Sequence, residues 1–492
     1  MKSKISKILA LVLSTATVAS LAAGCSSKTA STSSGQPVTL TFMMPGDPPK
    51  DENNVLAAVN KQLKADGLNF NIKTSYVADY WNKLAMTVAG GTEVDIAWAH
   101  SSTLSGLAAS KVYQPIDSVF ASSAPDVKAN TPDYVLKGGT VNGKLYALPR
   151  VIPMANFDTI YNIRGDLREK YGLAPIKTIS DLEKYFDAVK KNNPDMYPVG
   201  VDNNMQPLFA QLANYFFPIG DGGQNPVYVD PADPTHTVKT FFDSPAFEQV
   251  CAVKKSWVAK GYIPADSSKV TDANEGFVNG KVACIPSNTM SASERIDSLT
   301  ASIPNGKIET VLLTDKPYIF IGGDNMLAVP STSKHVKEAV EFINWIKKNQ
   351  ANYDLWSFGV KGTNYNLSGD SVSLDGIPAD KQYVTNSWMW NDIRIARFSS
   401  KMSAEDITTL KNWDKNAEKT PFIGFTLDQT KIKSQVSQVS AVWAEYYDNL
   451  AAGSVDYNKV KAEVQAKLKA AGIDDIVKET QAQLNTYLAA NK

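Results

Sequence analysis

The chain has 492 residues, with 50 Lys and Arg set against 50 Asp and Glu, so its formal net charge is zero. That balance offers no overall field to draw nucleic acid or a highly charged polymer. Composition is that of an ordinary globular protein, 43% hydrophobic and 20% charged, and the length exceeds what one hydrophobic core organises, so at least two domains are expected.

Lys2, Lys4 and Lys7 precede an apolar run from Ile8 to Ala23, and Leu21-Ala22-Ala23-Gly24-Cys25 follows. A charged start, an apolar middle and small residues before a cut site make a secretory signal. The run is too short and too thinly apolar for a comfortable membrane span. A Cys directly after Ala-Gly marks a bacterial lipoprotein signal, although the leucine stands four residues before Cys25 instead of three and Ala22 takes its place. An ordinary signal peptide with a chance cysteine is the alternative. Under the lipoprotein reading residues 1–24 are the signal, Cys25 is the acylated (palmitate-type) anchor, and the protein sits on the extracellular face of the cell membrane. Ser26 to Gln36 are mostly Ser, Thr, Ala and Gly, too polar to offset the entropy of ordering, so residues 25–37 read as a flexible tether.

The body starts with a period-2 strand, Val38, Leu40, Phe42 and Met44 alternating with Thr39, Thr41 and Met43. Pro45 to Pro49 ends it. Val55, Leu56, Val59 and Leu63 recur at helical spacing; Phe70 to Tyr76 is a strand, Asp79 to Ala89 a helix and Val94 to Ala99 a buried strand. This βαβαβ order implies a mainly parallel sheet covered by helices. Ligands of such sheets bind beyond the carboxyl ends of the strands, which makes the loops Pro45 to Pro49 and Trp98 to Thr103 candidate site walls. Further strands are expected at Lys144 to Pro149, Thr159 to Asn162, Tyr197 to Val201, Lys281 to Pro286, Thr310 to Thr314 and Asn325 to Val329. Ser180 to Lys190 reads as a helix with Ser180 as N-cap. A helix with Val336, Val340, Ile343 and Ile346 on one stripe follows Ser333, and the tail from Ile432 to Leu488 is helical throughout.

Catalytic signatures are missing from this pattern. His100, His236 and His335 stand apart without metal-ligand spacing, and there is no nucleophile elbow, P-loop or dinucleotide fingerprint. The glycines at 220, 222 and 223 lack a phosphate-loop lysine, and Asp202-Asn203-Asn204 lacks EF-hand spacing. Paired carboxylates for glycoside cleavage are not excluded by composition. No cofactor and no metal are expected. Cys251 and Cys284 are too sparse for a disulfide scaffold and read as buried free thiols, with a bridge as the alternative.

Several segments carry a resemblance. Gly90-Gly-Thr-Glu-Val-Asp-Ile-Ala-Trp-Ala-His100 looks like the approach to a first-lobe sugar-contacting strand end. Asn142-Gly-Lys-Leu-Tyr-Ala-Leu-Pro149, followed by Ile160-Tyr-Asn162, looks like a first crossing between lobes. Gly276-Phe-Val-Asn-Gly-Lys-Val-Ala-Cys284 is similar to a helix-to-strand unit, and Gly322-Gly-Asp-Asn325 through Ala328-Val-Pro330 and Ala339-Val-Glu-Phe342 to the return into the first lobe. In this order they resemble bacterial extracellular solute-binding proteins (family 1, maltodextrin-type) of carbohydrate ABC importers. Asn349 to Leu355, Pro421-Phe-Ile-Gly-Phe425, Tyr447 to Gly453, Leu468 to Ile473 and Glu479 to Leu484 resemble one Gram-positive lipoprotein branch with a distinctive C-terminal helical region.

The resemblance implies an α/β, two-lobe periplasmic-binding-protein-like fold (type II) with a hinge between lobes. Residues 38–150 and 321–370 are assigned to lobe one, and 151–320 and 371–492 to lobe two. Pro149 and Pro153 flank one proposed hinge and Gly322-Gly323 lies in another. It implies capture of an oligosaccharide in the cleft, lobe closure and delivery to ABC permease subunits, with no catalysis. Trp98 is expected to stack on a sugar face, with a core position as the alternative. Asp47 and Arg150 are candidates for hydroxyl contacts, Arg150 alternatively for a carboxylate, against loop capping and a surface ion pair. Gln206 and Asn288 are placed on lobe-two loops at the cleft. Of Trp388 and Trp390 one faces the cleft if the segment is extended, and Trp81 is the last candidate. A tethered glycan-cleaving enzyme and a peptide-binding receptor on the same scaffold are the competing classes.

Overall fold

A computed structural model describes residues 37–200, 205–213, 215–218, 226–264 and 272–491. Cys25 and the signal, nearly all of the tether, Asp202-Asn203-Asn204 and the glycines at 220–223 lie outside the described residues.

The first lobe is built on strands β1 (Val38–Pro45), β2 (Phe70–Val77), β3 (Ile96–His100), β4 (Ala147–Pro149) and a late strand, β8 (Asn325–Ala328). Between them lie helices α1 (Glu52–Ala65), α2 (Tyr80–Ala89), α3 (Ser101–Ala109) and α4 (Asp133–Gly138). Spatial order is β2-β1-β3-β8-β4. β1 runs parallel to β2 and β3, whereas β8 is antiparallel to β3 and β4. β1 buries Leu40, Phe42 and Met44 against one helical layer and Met43 against the other, so both faces of the sheet are covered, as a parallel sheet requires.

The second lobe holds β5 (Ile160–Arg164), helix α5 (Gln206–Leu212), β6 (Cys284–Ser287) and β7 (Ile308–Val311). β5 lies at the centre, antiparallel to both neighbours. The expected mainly parallel arrangement therefore holds only for the first three strands of lobe one. β8 enters the first sheet on return from lobe two, from the opposite end, and the strands of lobe two pair without same-sense crossovers. Tyr197, expected in a strand, makes only an isolated bridge to Val282. The helix expected from Ser180 runs Ile179–Asn192 and is capped by Thr178, whose side chain accepts from Asp181 N at 3.1 Å.

Helix α6 (Val336–Lys348) covers lobe one, and α7 (Lys433–Ala451), α8 (Tyr457–Ala470) and α9 (Ile473–Ala490) close the chain. The last three bury Val439, Trp443, Val464, Leu468, Ile476 and Leu484 in the second-lobe core beside Phe241 and Phe247. The expected lobe boundary shifts in between. Tyr383, Met389, Trp390, Phe398 and Leu410, assigned from sequence to lobe two, pack in the first-lobe core with Phe42 and Trp356. Polar ties fix them there: Asn386 Nδ2 donates to Pro45 O at 2.9 Å and Lys381 pairs with Asp51 at 2.7 Å. The carboxy-terminal part of lobe two starts near Phe422.

Segments crossing between lobes are laced together. Asn156 N donates to Tyr318 O, and Tyr318 N to Asn156 Oδ1, each at 2.9 Å. Glu418 N and Thr420 N donate to Pro317 O and Ile319 O. Asp414 accepts from Met154 N and Ala155 N, and Trp413 Nε1 donates to Ala155 O at 2.8 Å. Gly322 and Gly323, in the second proposed hinge, keep φ outside the left-handed region. Close approach demands them instead: a Cβ on Gly322 would lie 2.0 Å from Tyr134 O of α4, and one on Gly138 would lie 2.6 Å from Gly323 N. Cys251 and Cys284 are both buried and are not joined in a disulfide.

Candidate functional site

β3 ends at His100 and α3 starts at once. His100 Nδ1 caps the new helix, accepting from Ser102 N at 3.3 Å with Ser102 Oγ at 2.7 Å. Ser101 N is held by Asp324 O at 2.8 Å. The first turn of α3 thus carries Ser101, Ser102, Thr103 and Ser105, short side chains that leave room and offer hydroxyls. They form one wall of a cleft of about 780 Å³, within the range of ordinary ligand sites. Most of residues 101–110 lie on this wall, with Lys137, Gly138 and Thr140 beside them. The floor is the hinge, Met154 to Thr159 and Phe320 to Gly323. The opposite wall comes from lobe two: Gln206 at the start of α5, Tyr215 to Pro218, and Phe422 to Lys433.

The two walls differ in chemistry. Lobe one presents hydroxyls, and lobe two presents rings. Phe422 is fully buried and stacks on Phe216 at 4.9 Å and 17°. Tyr215, Phe217, Phe320 and Phe425 are half-exposed in the cleft lining. Charges of both signs border the space. Lys137, Lys433, Asp158 and Asp428 are exposed, and hydrogen bonds from the Thr430 side chain and backbone hold the Asp428 carboxyl below its ordinary pKa. Among the described residues no group of three or more His, Cys, Asp or Glu stands close enough to hold a metal ion.

Of the side chains singled out in the sequence, only Gln206 lines this cleft. Trp98, Trp81 and Trp388 are brought together instead as a half-buried cluster. Trp98 lies 4.4 Å from Trp81, 4.9 Å from Trp388 and 5.2 Å from Tyr80, ring to ring. Its indole N–H donates to Asn325 Oδ1 at 2.7 Å, and its backbone N–H donates to the Tyr80 hydroxyl at 2.7 Å. The cluster adjoins the start of α3 through His100, whose ring is 6.4 Å from Trp98. Trp390 is core, 1% exposed, donating to Ser357 Oγ at 3.0 Å. Asp47 is exposed on the loop after β1, away from the cleft lining. Asn288 is spent locally, its Oδ1 accepting from Met290 N at 3.0 Å.

Arg150 is a correction of a different kind. It is neither a surface ion pair nor a cleft residue. Its guanidinium forks onto Asp324, Nε to Oδ1 at 2.8 Å and Nη2 to Oδ2 at 2.5 Å, with side chains 3% and 5% exposed. Burial opposes ionisation of Asp324, but the charge and hydrogen bonds of Arg150 outweigh it and hold the carboxyl below its ordinary value. Asp324 Oδ2 also accepts from Asn325 Nδ2 at 2.8 Å. A continuous polar chain therefore runs from Arg150 at the hinge through Asp324 and Asn325 to the Trp98 indole. Sequence could locate the α3 hydroxyls, since Trp98 to Thr103 was an expected wall. It missed the lobe-two rings, although Pro421 to Phe425 stood out as a lineage marker.

Comparison with known proteins places the chain. It belongs to the bacterial extracellular solute-binding proteins, whose family model matches residues 57–388. A second model, a domain of unknown function (DUF3502), matches residues 421–489. A carbohydrate ABC transporter substrate-binding protein of Streptococcus pneumoniae is 24% identical, the alignment covering 97% of this chain and 98% of that one. The crystal structure of the N-glycan transport solute-binding protein NgtS from Streptococcus pneumoniae is similar with a TM-score of 0.79 at 20% identity, over 92% of this chain and 100% of that one. The same protein in complex with Man5GlcNAc is similar with a TM-score of 0.71 at 21% identity, over 92% and 99%. At these identities the likeness establishes the two-lobe binding-protein fold.

Proposed function

We propose that this extracellular solute-binding protein captures a neutral oligosaccharide in the cleft between its lobes and delivers it to the permease of a carbohydrate ABC importer. The observation that carries this is the asymmetry of the cleft. A sugar ring has an apolar face of C–H groups and a rim of hydroxyls. Half-exposed Phe217 and Phe320 suit the face, and Ser101, Ser102, Thr103 and Gln206 suit the rim. The mixed border charges favour a ligand without strong charge of its own. Relatives of this length whose names state carbohydrate transport or N-glycan binding support the same class.

In this proposal Gln206 contacts ligand directly. Trp98, Trp81 and Trp388 back the polar wall through His100, and Trp98 touches ligand only where a longer chain extends past the start of α3. Binding draws the lobes together about the laced crossings of the hinge. The ligand is released unchanged. Cys25 carries the lipid anchor, and residues up to 37 tether the body to the membrane.

Thermal shift and calorimetry against Man1GlcNAc, Man5GlcNAc, maltodextrins, milk oligosaccharides and charged uronate oligomers test the proposal, because a ligand that binds only the folded state raises its apparent stability. Saturable binding of a neutral oligosaccharide, recovered intact after incubation, is expected. Binding of peptides instead, or cleavage that is abolished by changing Asp158 or Asp428, would replace it. Lipid labelling that persists in Cys25→Ala would remove the anchor.

A further inference from the structure

The carboxy-terminal module, residues 421–489, has a matching family model without a function. Its helices bury their apolar stripes in lobe two, which by itself makes them scaffold. Its first twelve or so residues do something else: Phe422, Gly424, Phe425 and the stretch to Thr430 line the cleft. We propose that this module is a ligand-reading element, with Phe425 stacking on a sugar ring of a neutral oligosaccharide and α9 holding Phe425 in place. The inference rests on the proposed function of the cleft.

The two phenylalanines have different jobs. Phe422 is 0% exposed and spent on Phe216. Phe425 is half-exposed, its ring 5.6 Å from Tyr487 at 69° and 6.4 Å from Phe216 at 70°. Both contacts are T-shaped, so neither neighbouring ring lies parallel over Phe425. The intervening turn is built at Gly424, whose φ of +90° belongs to the left-handed region. A Cβ there would meet the Tyr487 hydroxyl at 2.9 Å and Lys137 Cβ of α4 at 3.2 Å. The segment therefore reaches across to lobe one, at a point where nothing larger than glycine fits.

Helix α9 clamps this segment repeatedly. The Tyr487 hydroxyl donates to Ile423 O. Gln483 bonds Asp428 at both ends, accepting from its N and donating to its O, each at 2.8 Å. Lys431 pairs with Glu479 at 3.2 Å. Glu479, Gln483 and Tyr487 recur every four residues, one stripe of a helix. The adjoining side of the helix, with Ile476 and Leu484, is in the core. A helix whose polar stripe is committed to the backbone at Ile423 and Asp428 and to the Lys431 side chain is placed to fix the shape of that cleft-lining segment, which lowers the ordering cost of binding.

The test uses the full mature chain, the oligosaccharide panel above, calorimetry, and amide hydrogen exchange of residues 422–431. Phe425→Ala is expected to weaken the panel's best binder at least tenfold with an unchanged melting temperature in the absence of ligand, and Phe425→Trp to restore binding. Tyr487→Phe, acting through position, is expected to speed exchange of 422–431 without ligand and to weaken binding several-fold. In the unaltered protein, saturation with that oligosaccharide is expected to protect amides 424–430. Wild-type affinity in a folded Phe425→Ala variant overturns this inference alone. So does exchange of 424–430 that ligand leaves unchanged, a measurement that needs no variant to fold. Absence of binding by the unaltered protein to every oligosaccharide overturns the proposed function and this inference with it.

Discussion

The two lobes each set a group of aromatic rings near the cleft, and they use them in opposite ways. In lobe one, Trp81, Trp98 and Trp388 pack on each other and on Tyr80, and the Trp98 indole is held by Asn325. On the lobe-two side, Phe217 and Phe425, with Phe320 at the edge of the hinge floor, each keep a half-exposed ring in the cleft lining. Aromatic content near a sheet edge thus does not identify a stacking platform. What identifies it is whether the ring's face and polar atom have already found partners within the protein. The lobe-one cluster reads as a rigid backing for the α3 hydroxyls, and the lobe-two rings read as the surface left for a ligand.

The largest effect expected comes from the polar chain behind the lobe-one cluster. Arg150→Ala leaves Asp324 as an unpaired buried carboxylate, so urea unfolding should show a loss of about 3–5 kcal/mol. Because Asp324 has its pKa lowered in the fold, the pair's stabilisation is present above the unfolded carboxyl pKa. It disappears as pH falls through the lower, folded value, and Arg150→Ala should abolish that acid-side slope. A variant as stable as the parent would mean that the chain from Arg150 to Trp98 has no structural weight.

Trp98→Ala comes next, at about 3 kcal/mol of stability, the low end for truncating a large aromatic because the ring is only half-buried. Affinity for a short oligosaccharide should change by less than threefold. A folded variant that keeps its stability and loses binding would reverse the comparison, making Trp98 the platform that the sequence suggested.

Lys347 tests the packing beneath the hinge. Its ammonium donates to Pro149 O at 2.9 Å, and burial brings its pKa down to about 8, against about 10.4 for an unfolded lysine. Between those values the folded chain has shed a proton that the unfolded chain keeps, so stability rises with pH, by about 1.5 kcal/mol from pH 8 to 9.5. Lys347→Met should flatten that rise in denaturation curves taken across the interval.

The smallest effect sharpens the lobe-two side. Phe320→Ala removes one half-exposed ring and should cost under about 1 kcal/mol of stability, as surface changes do, while weakening oligosaccharide binding about tenfold, near 1.4 kcal/mol. Calorimetry and thermal unfolding of the same sample separate the two quantities. Equal affinity with reduced stability would class Phe320 with the lobe-one rings.

Local pattern sufficed for a great deal of this molecule. The alternation of Leu40, Phe42 and Met44, the stripes of α1, α6 and α7 to α9, and the βαβαβ order of the first lobe were all legible, because periodicities of 2 and 3.6 residues are fixed by backbone geometry alone. The hydroxyl wall was legible too, since a strand end followed by His100-Ser-Ser-Thr103 is a local signal. Tertiary structure alone decided the rest. Trp388 and Trp390 stand two residues apart in the same sequence motif, yet one joins Trp98 and the other is core beside Phe42 and Trp356. Arg150 looked like a ligand-facing cation until Asp324, 174 positions away, closed on it. Gly322 was placed by the carbonyl of Tyr134 and not by any turn of its own. Residues 371–411 joined the first lobe through ties to Pro45, Asp51 and Val151. Each of these outcomes depends on which distant groups the fold brings to a buried atom, and the free energy of satisfying that atom is a property of the packed fold that no local window of sequence contains.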